Sequence, residues 1–394
     1  VDPHTHGTLA PEDRARLEAC WTASRGLIYT DALVGATFHA RHLALALRCG
    51  EPSRIARALA LEGHFVAALG GERTHARGRA LVERAQAIAD EADSDYARGM
   101  VAQCSGHVAL AIGDWRTCFE ELERAIAIFR ERCTGVAHEV AICRAHGAIC
   151  LQYLGRIDEL RTRAYQLLEE DRERANPYAV GFARGILGNM ALLAPDRVDE
   201  AAEQLAIYRQ VAPVRFEAHK INYVAQTAAL ERYRGRPDRA WEVAQADAPL
   251  VAKLGIGRIP QAWSEIQLWR GQCALAGGTF DDPARLRIAE EAAKRLAEHP
   301  SVFGRAYSEL LRGSMHALAG RVDEAVRCVR EALVGFDRRE MLAFSASARR
   351  RLAALVGGDE GRTLAERSDA DMRAMGVLRP ERFTEMMTPG FVRA

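Results

Sequence analysis

The chain has 394 residues, 48% of them hydrophobic and 27% charged, and a formal net charge of +1. That balance suits a folded chain with a sizeable core and excludes an extended disordered one. It offers no global attraction to nucleic acid or to an anionic membrane. The nine Cys are odd in number and form no C-x-x-C pair, so they read as reduced thiols used as small hydrophobes. No run of 18 apolar residues and no apolar leader occurs, so a cytoplasmic protein with no membrane partner is expected.

In chain order, residues 1–10 form a Gly- and Pro-flanked terminus, expected to be disordered. Their "VDPHTHG" resembles the first metal-binding strand of amidohydrolase-type enzymes through Asp2, His4 and His6. Such an enzyme needs a barrel of strands and helices with further ligands. No strand-like alternation follows, so no metal and no cofactor are expected, and a metal-dependent hydrolase is the most remote alternative. Helices are predicted over 11–25, where Pro11, Glu12 and Asp13 make a start signal, and over 33–49.

From there a turn recurs, centred on Gly71, Gly113, Gly155, Asp196, Gly235, Gly278, Gly320 and Gly358. Successive spacings are 42, 42, 41, 39, 43, 42 and 38. A period near 41 held over eight turns signals a repeat. Each repeat reads as helix, tight turn, helix. Gly tolerates the left-handed conformation that ends the first helix, and acidic residues or Pro open the second. Leu122, Ala125, Ile126 and Phe129 show the helical i, i+3, i+4, i+7 stripe. Hairpins are predicted over 52–92, 95–131, 135–174, 177–212, 214–254, 259–298, 301–337 and 340–375. A loop and bend are expected at Leu250 to Pro260.

Seven residues before a turn the side chain is small at Gly106, Ala148, Ala228, Gly271 and Gly313, which lets helices approach closely. Together with Ala125, Ala240, Ala325 and Ala332 downstream, this spacing resembles the tetratricopeptide repeat, although the period exceeds the usual 34 and the closing Pro is mostly missing. The predicted fold is an all-α, TPR-like solenoid of about eight hairpins over residues 11–378, with a C-terminal tail at 379–394.

Two further motifs carry ligand-type residues. Glu139, Cys143, His146 and Cys150 share one helical face, but the two Cys stand about 10.5 Å apart along a helix, too far to share one tetrahedral ion. "GGDEGRT" resembles a phosphate loop but is one residue short, carries Arg362 where Lys is required and follows a helix. Neither supports catalysis, and no catalytic residue is assigned. If the repeat follows tetratricopeptide geometry, the first helices line a concave face with Gln103, His107, Gln152, Tyr153, Asn222, Arg232, Tyr233, Glu265, Gln272, Tyr307 and Ser314. This polar and aromatic set suits a peptide or ligand groove, and equally an ordinary solvated face.

Four stretches resemble one family. They are "ARHLALALRCGEPSRIARALALEG", "ERCTGVAHEVAICRAHGAICLQYLGR", "RRRLAALVGGDEGR" and the tail "MRAMGVLRPERFTEMMTPGF". They are similar to the C-terminal helical region of large bacterial, myxobacterial-type serine/threonine protein kinases, in which a kinase domain and a signalling ATPase module precede a TPR-like array. The resemblance implies a noncatalytic interaction or sensor module with a protein or peptide partner, which the upstream domains of the same polypeptide could supply. The alternative is the small-molecule-sensing arm of an ATPase-type transcription regulator.

Overall fold

The computed structural model describes residues 10–27, 32–174, 177–211, 217–246, 260–278 and 282–391. Among them are nineteen α-helices, one π turn and no strand. The predicted helices before the first hairpin are α1 (Pro11–Leu27) and α2 (Ala32–Cys49). The hairpins follow as α3 (Pro52–Ala68) with α4 (Glu72–Glu91), α5 (Asp95–Ile112) with α6 (Trp115–Arg132), and α7 (Ala137–Tyr153) with α8 (Ile157–Arg174). Next come α9 (Pro177–Ile186) with α10 (Val198–Val211), α11 (Glu217–Tyr233) with α12 (Pro237–Ala246), and α13 (Pro260–Leu275) with α14 (Pro283–Glu298). The last are α15 (Gly304–Leu318) with α16 (Val322–Asp337), α17 (Leu342–Val356) with α18 (Gly358–Ala374), and a final α19 (Pro380–Met387).

Five of the eight predicted turns share one backbone solution, and all eight turn residues have positive φ, from +57° at Asp196 to +95° at Gly71. At Gly113 the amide bonds to the Leu110 carbonyl and the next amide, Asp114, reaches back to Ala109. The same double bond recurs after Gly155, Asp196, Gly235 and Gly320. It satisfies the carbonyls that a helix end leaves open. Asp114 then caps the following helix by accepting from the Thr117 amide at 3.0 Å. Asp282 does the same for α14.

Small residues sit where helices meet. A Cβ placed on Gly106 would stand 2.9 Å from Leu122 of the partner helix, and one on Gly313 would stand 2.8 Å from Val329. Gly63 and Gly78 face each other's carbonyls across α3 and α4 at 2.8 Å. Ala125, Ala240, Ala325 and Ala332 are fully buried, as the repeat spacing requires.

The sequence shows no linker, yet contacts divide the chain into two compact units, residues 1–150 and 151–394, with the division in the last turn of α7. In the first, Leu17, Ala46 and Ala58 join α1, α2 and α3 in one core, and α3 packs on both α4 and α5. In the second, Ile221, Val224, Ala240, Ile266 and Trp269 tie α11, α12 and α13 together. There α13, α14 and α15 pack pairwise, each first helix touching its own second helix and the next first helix. Near the C-terminus the buried Arg349 pairs with Asp337 and Asp371.

Three expectations are corrected or fall away. The helix predicted after residue 177 breaks at a π turn, Leu187–Ala191, where Asn189 leaves helical geometry. Of the predicted tail 379–394, the described residues 379–391 pack with the array: Pro380–Met387 is a helix, and Phe383, Met386, Met387 and Phe391 are buried in the second unit. The predicted bend at 250–260 and the "VDPHTHG" residues Asp2, His4 and His6 lie outside the described residues, apart from Pro260, which opens α13.

Candidate functional site

The eleven residues expected along an exposed first-helix face are mostly interior. Gln103, His107, Tyr153, Arg232, Tyr233, Gln272, Tyr307 and Ser314 are buried, while Gln152, Asn222 and Glu265 are partly so. The reason is packing: each first helix is covered by its own second helix and by neighbouring hairpins, so its polar groups meet one another instead of water. An ordinary solvated face is thereby excluded for the buried eight.

The second unit gathers these residues into two groups. In one, the Tyr153 hydroxyl donates to the Glu265 carboxylate, Tyr307 lies 3.3 Å from the Tyr153 oxygen, and Gln261 donates to Glu265. Burial raises the Glu265 carboxyl above its ordinary range despite these donors. Burial and the Glu265 charge push both phenols up as well. A carboxylate held by phenols that stay protonated is a structural anchor; no described nucleophile stands beside it.

The other group surrounds the chain's own C-terminal segment. Arg232 of α11 donates through Nε to the Met386 carbonyl at 3.0 Å. Gln272 of α13 donates through Nε2 to the Met387 carbonyl at 2.6 Å. Arg351 of α17 donates to the Thr388 carbonyl at 2.9 Å and lies over the Phe391 ring, 5.2 Å from its centroid. Gly390 crosses α13 and α15 so closely that a Cβ there would lie 3.0 Å from Leu275 and 3.3 Å from Ser314. Arg232 and Gln272 also bond each other at 3.2 Å, which orients both. The segment is pinned upstream, where the Leu378 amide bonds to the Ala194 carbonyl and Arg379 and Arg382 pair with Asp196. Tyr233 donates to the same Asp196 at 2.8 Å. The result is a polar track from α11, α13 and α17, three first helices, that reads backbone carbonyls, with α15 in close contact at Gly390.

In the first unit Gln103 is buried on α5, and one turn on His107 belongs to a row of five imidazoles from four helices, His39 and His42 of α2, His64 of α3, His107 of α5 and His146 of α7. His146 Nδ1 lies 2.8 Å from His107 Nε2, and the His64 and His107 rings are 4.6 Å apart. His39 bonds to Glu62 at 3.0 Å and stacks on Phe65, while His42 lies against Trp21. Burial holds His42 and His64 down at about 3 and His146 at about 4. It lowers His107 as well. Beside the row Arg25 pairs with Glu139, and Tyr96 donates to the same carboxylate at 2.8 Å.

Other sequence motifs resolve as structure. Glu139 is taken by Arg25, His146 by His107, and burial raises the Cys143 thiol. Among the described residues no group of three or more His, Cys, Asp or Glu is arranged to hold a metal ion. Gly357 and Gly358 of the phosphate-loop look-alike simply join α17 to α18. The residue that sequence reasoning missed is Arg351. It stands on the last first helix, seven positions before the turn at Gly358, whereas Gln272 stands six before Gly278. Because its register differs by one, spacing alone gave no signal for it.

No helix among the described residues is long and apolar enough to cross a membrane. No protein-family model and no curated protein matches the chain. Nineteen solved chains match. One is the apo form of the quorum sensor NprR from B. thuringiensis, with 11% identity and a TM-score of 0.48 over 92% of this chain and 97% of that one. At that level of likeness nothing passes from it to this chain.

Proposed function

We propose that the chain is a noncatalytic interaction and sensor module of bacterial signalling, the regulatory helical region of a serine/threonine kinase-type polypeptide, and that its partner is a protein or peptide segment. One observation carries the interaction part: side chains of α11, α13 and α17 hold the backbone carbonyls of a single crossing segment. Recognition through carbonyls tolerates many sequences, and donors drawn from three hairpins of a repeat spread it along a strand of peptide. The kinase context rests on the four stretches that resemble such proteins.

The context is tested by the size of the native gene product, by immunoblot of the source cells with an antibody to this array. A band well above 43.4 kDa is expected, with kinase and ATPase segments upstream. A sole band at that mass rejects the kinase-region reading and leaves a free-standing adaptor.

A further inference from the structure

The C-terminal segment is seated like a ligand, and the contacts differ from those of an ordinary core helix. Its three successive carbonyls at Met386, Met387 and Thr388 are met by side chains of three different hairpins. After Met387 the helix ends, and Thr388, Pro389, Gly390 and Phe391 continue as non-helical chain, buried throughout. Specificity comes from a few positions. Met386 and Met387 are buried, Phe391 lies under the Arg351 guanidinium, and Gly390 crosses where Leu275 and Ser314 leave no room for a side chain. Upstream the segment is held by the Leu378 amide on the Ala194 carbonyl and by the buried Phe383, while its exposed or partly exposed ion pairs, Arg350 with Glu381 and Arg379 with Asp196, add little.

We propose that the track formed by Arg232, Gln272 and Arg351 is a peptide-binding site, that residues 386–391 are its resident ligand in cis, and that the external partner is a peptide segment of the same chemistry. That chemistry is two large flexible apolar residues, a hydroxyl residue, Pro-Gly, and an aromatic that stacks on an arginine. The proposal rests on the reading of the chain as a peptide-holding module. A tethered ligand competes at an effective concentration on the order of millimolar, so the site opens only to a partner that binds more tightly or arrives when the segment is loosened.

The test uses the full chain with two readouts. Hydrogen exchange of residues 380–391 is compared with that of α15. A fluorescent peptide covering residues 380–394 is titrated against the wild type, against Phe391→Ala, and against Phe391→Ala with Arg351→Ala. The segment is expected to exchange faster than α15 while the rest of the second unit stays protected. The peptide is expected to bind Phe391→Ala about tenfold more tightly than wild type, and to lose that binding when Arg351 is also replaced. Circular dichroism and thermal melting check that the variants fold, and exchange on the wild type needs no variant. If the segment is as protected as α15, it is a core element and the displaceable ligand is refuted, with peptide recognition elsewhere untouched. If the segment opens but the peptide binds no form of the chain, the track does not read peptides, and the interaction reading fails with it.

Discussion

A single methyl group separates the glycines of this fold into two kinds. Gly63 faces the Gly78 carbonyl and Val82, and a Cβ there would stand 2.8 Å from both. No rotamer change relieves contact with a backbone oxygen, so α3 and α4 would have to move apart. Gly147, on α7, has only the Phe119 ring nearby, at 3.8 Å, which is ordinary van der Waals contact. Gly63→Ala is therefore expected to destabilise by about 1–3 kcal/mol through overpacking. Gly147→Ala is expected to stabilise by about 0.5–1 kcal/mol, because alanine is the better helix former. Urea unfolding of the two variants against wild type decides it. Equal effects of one sign would mean that the close approach of α3 and α4 is not what these glycines report. The buried tyrosines teach the same lesson from the other side. Tyr153 and Tyr233 were expected in a groove, but their hydroxyls are spent on Glu265 and Asp196 inside the fold.

At the scale of the element, the turn is the unit that the sequence writes most plainly. A left-handed residue, a double back-bond and an acidic or Pro start recur because each solves a local problem, the unsatisfied ends of two helices. Asp114 shows the solution in one residue: its amide closes the helix before it and its carboxylate caps the helix after it. Asp114→Ala should cost about 1 kcal/mol, the usual value of a cap, and Asp114→Asn should recover most of it. A melting temperature unmoved by the alanine change would show that the turn is held by packing alone. Such local chemistry made the helices and turns legible along the chain, including a non-glycine turn at Asp196. What stayed illegible was which face of each first helix is covered. Facing depends on the neighbouring hairpins, and periodicity cannot report it when a helix such as α5 is buried almost all round. The docking of residues 386–391 is invisible for the same reason, since Arg232 and Met386 meet across 154 positions of sequence.

At the scale of the whole molecule the two units carry different chemistry, and acid should tell them apart. The first unit buries His42, His64, His107 and His146, all lowered chiefly by desolvation. The charges nearest them are mostly cationic: Arg54 and Arg57 act on His42, and Arg25 acts on His107, although Arg25 is itself paired with Glu139. Glu62 serves His39. Protonation of the row therefore finds no spare carboxylate among these groups. The sign follows directly. His42, His64 and His146 are neutral in the folded chain down to about pH 3–4, whereas in the unfolded chain they take up protons near pH 6.5. The unfolded state then binds more protons between those limits, so stability is full above about pH 6.5 and falls as the pH drops. Going from pH 7.5 to 5, the loss is about 2 kcal/mol for each such imidazole, an upper bound since unfolded chains and relaxed folds both soften it. In the second unit His316 is only partly buried, and burial together with the neighbouring Arg321 lowers it. Hydrogen exchange at pH 7.5 and pH 5 should show protection falling in α2, α3, α5 and α7 up to Cys150, while α13 to α18 hold. His42→Leu should flatten the pH dependence of the first unit by one imidazole's share. Uniform loss across both units, or none in either, would mean that the histidine row does not govern acid stability, and that its rings are hydrated enough to charge within the fold.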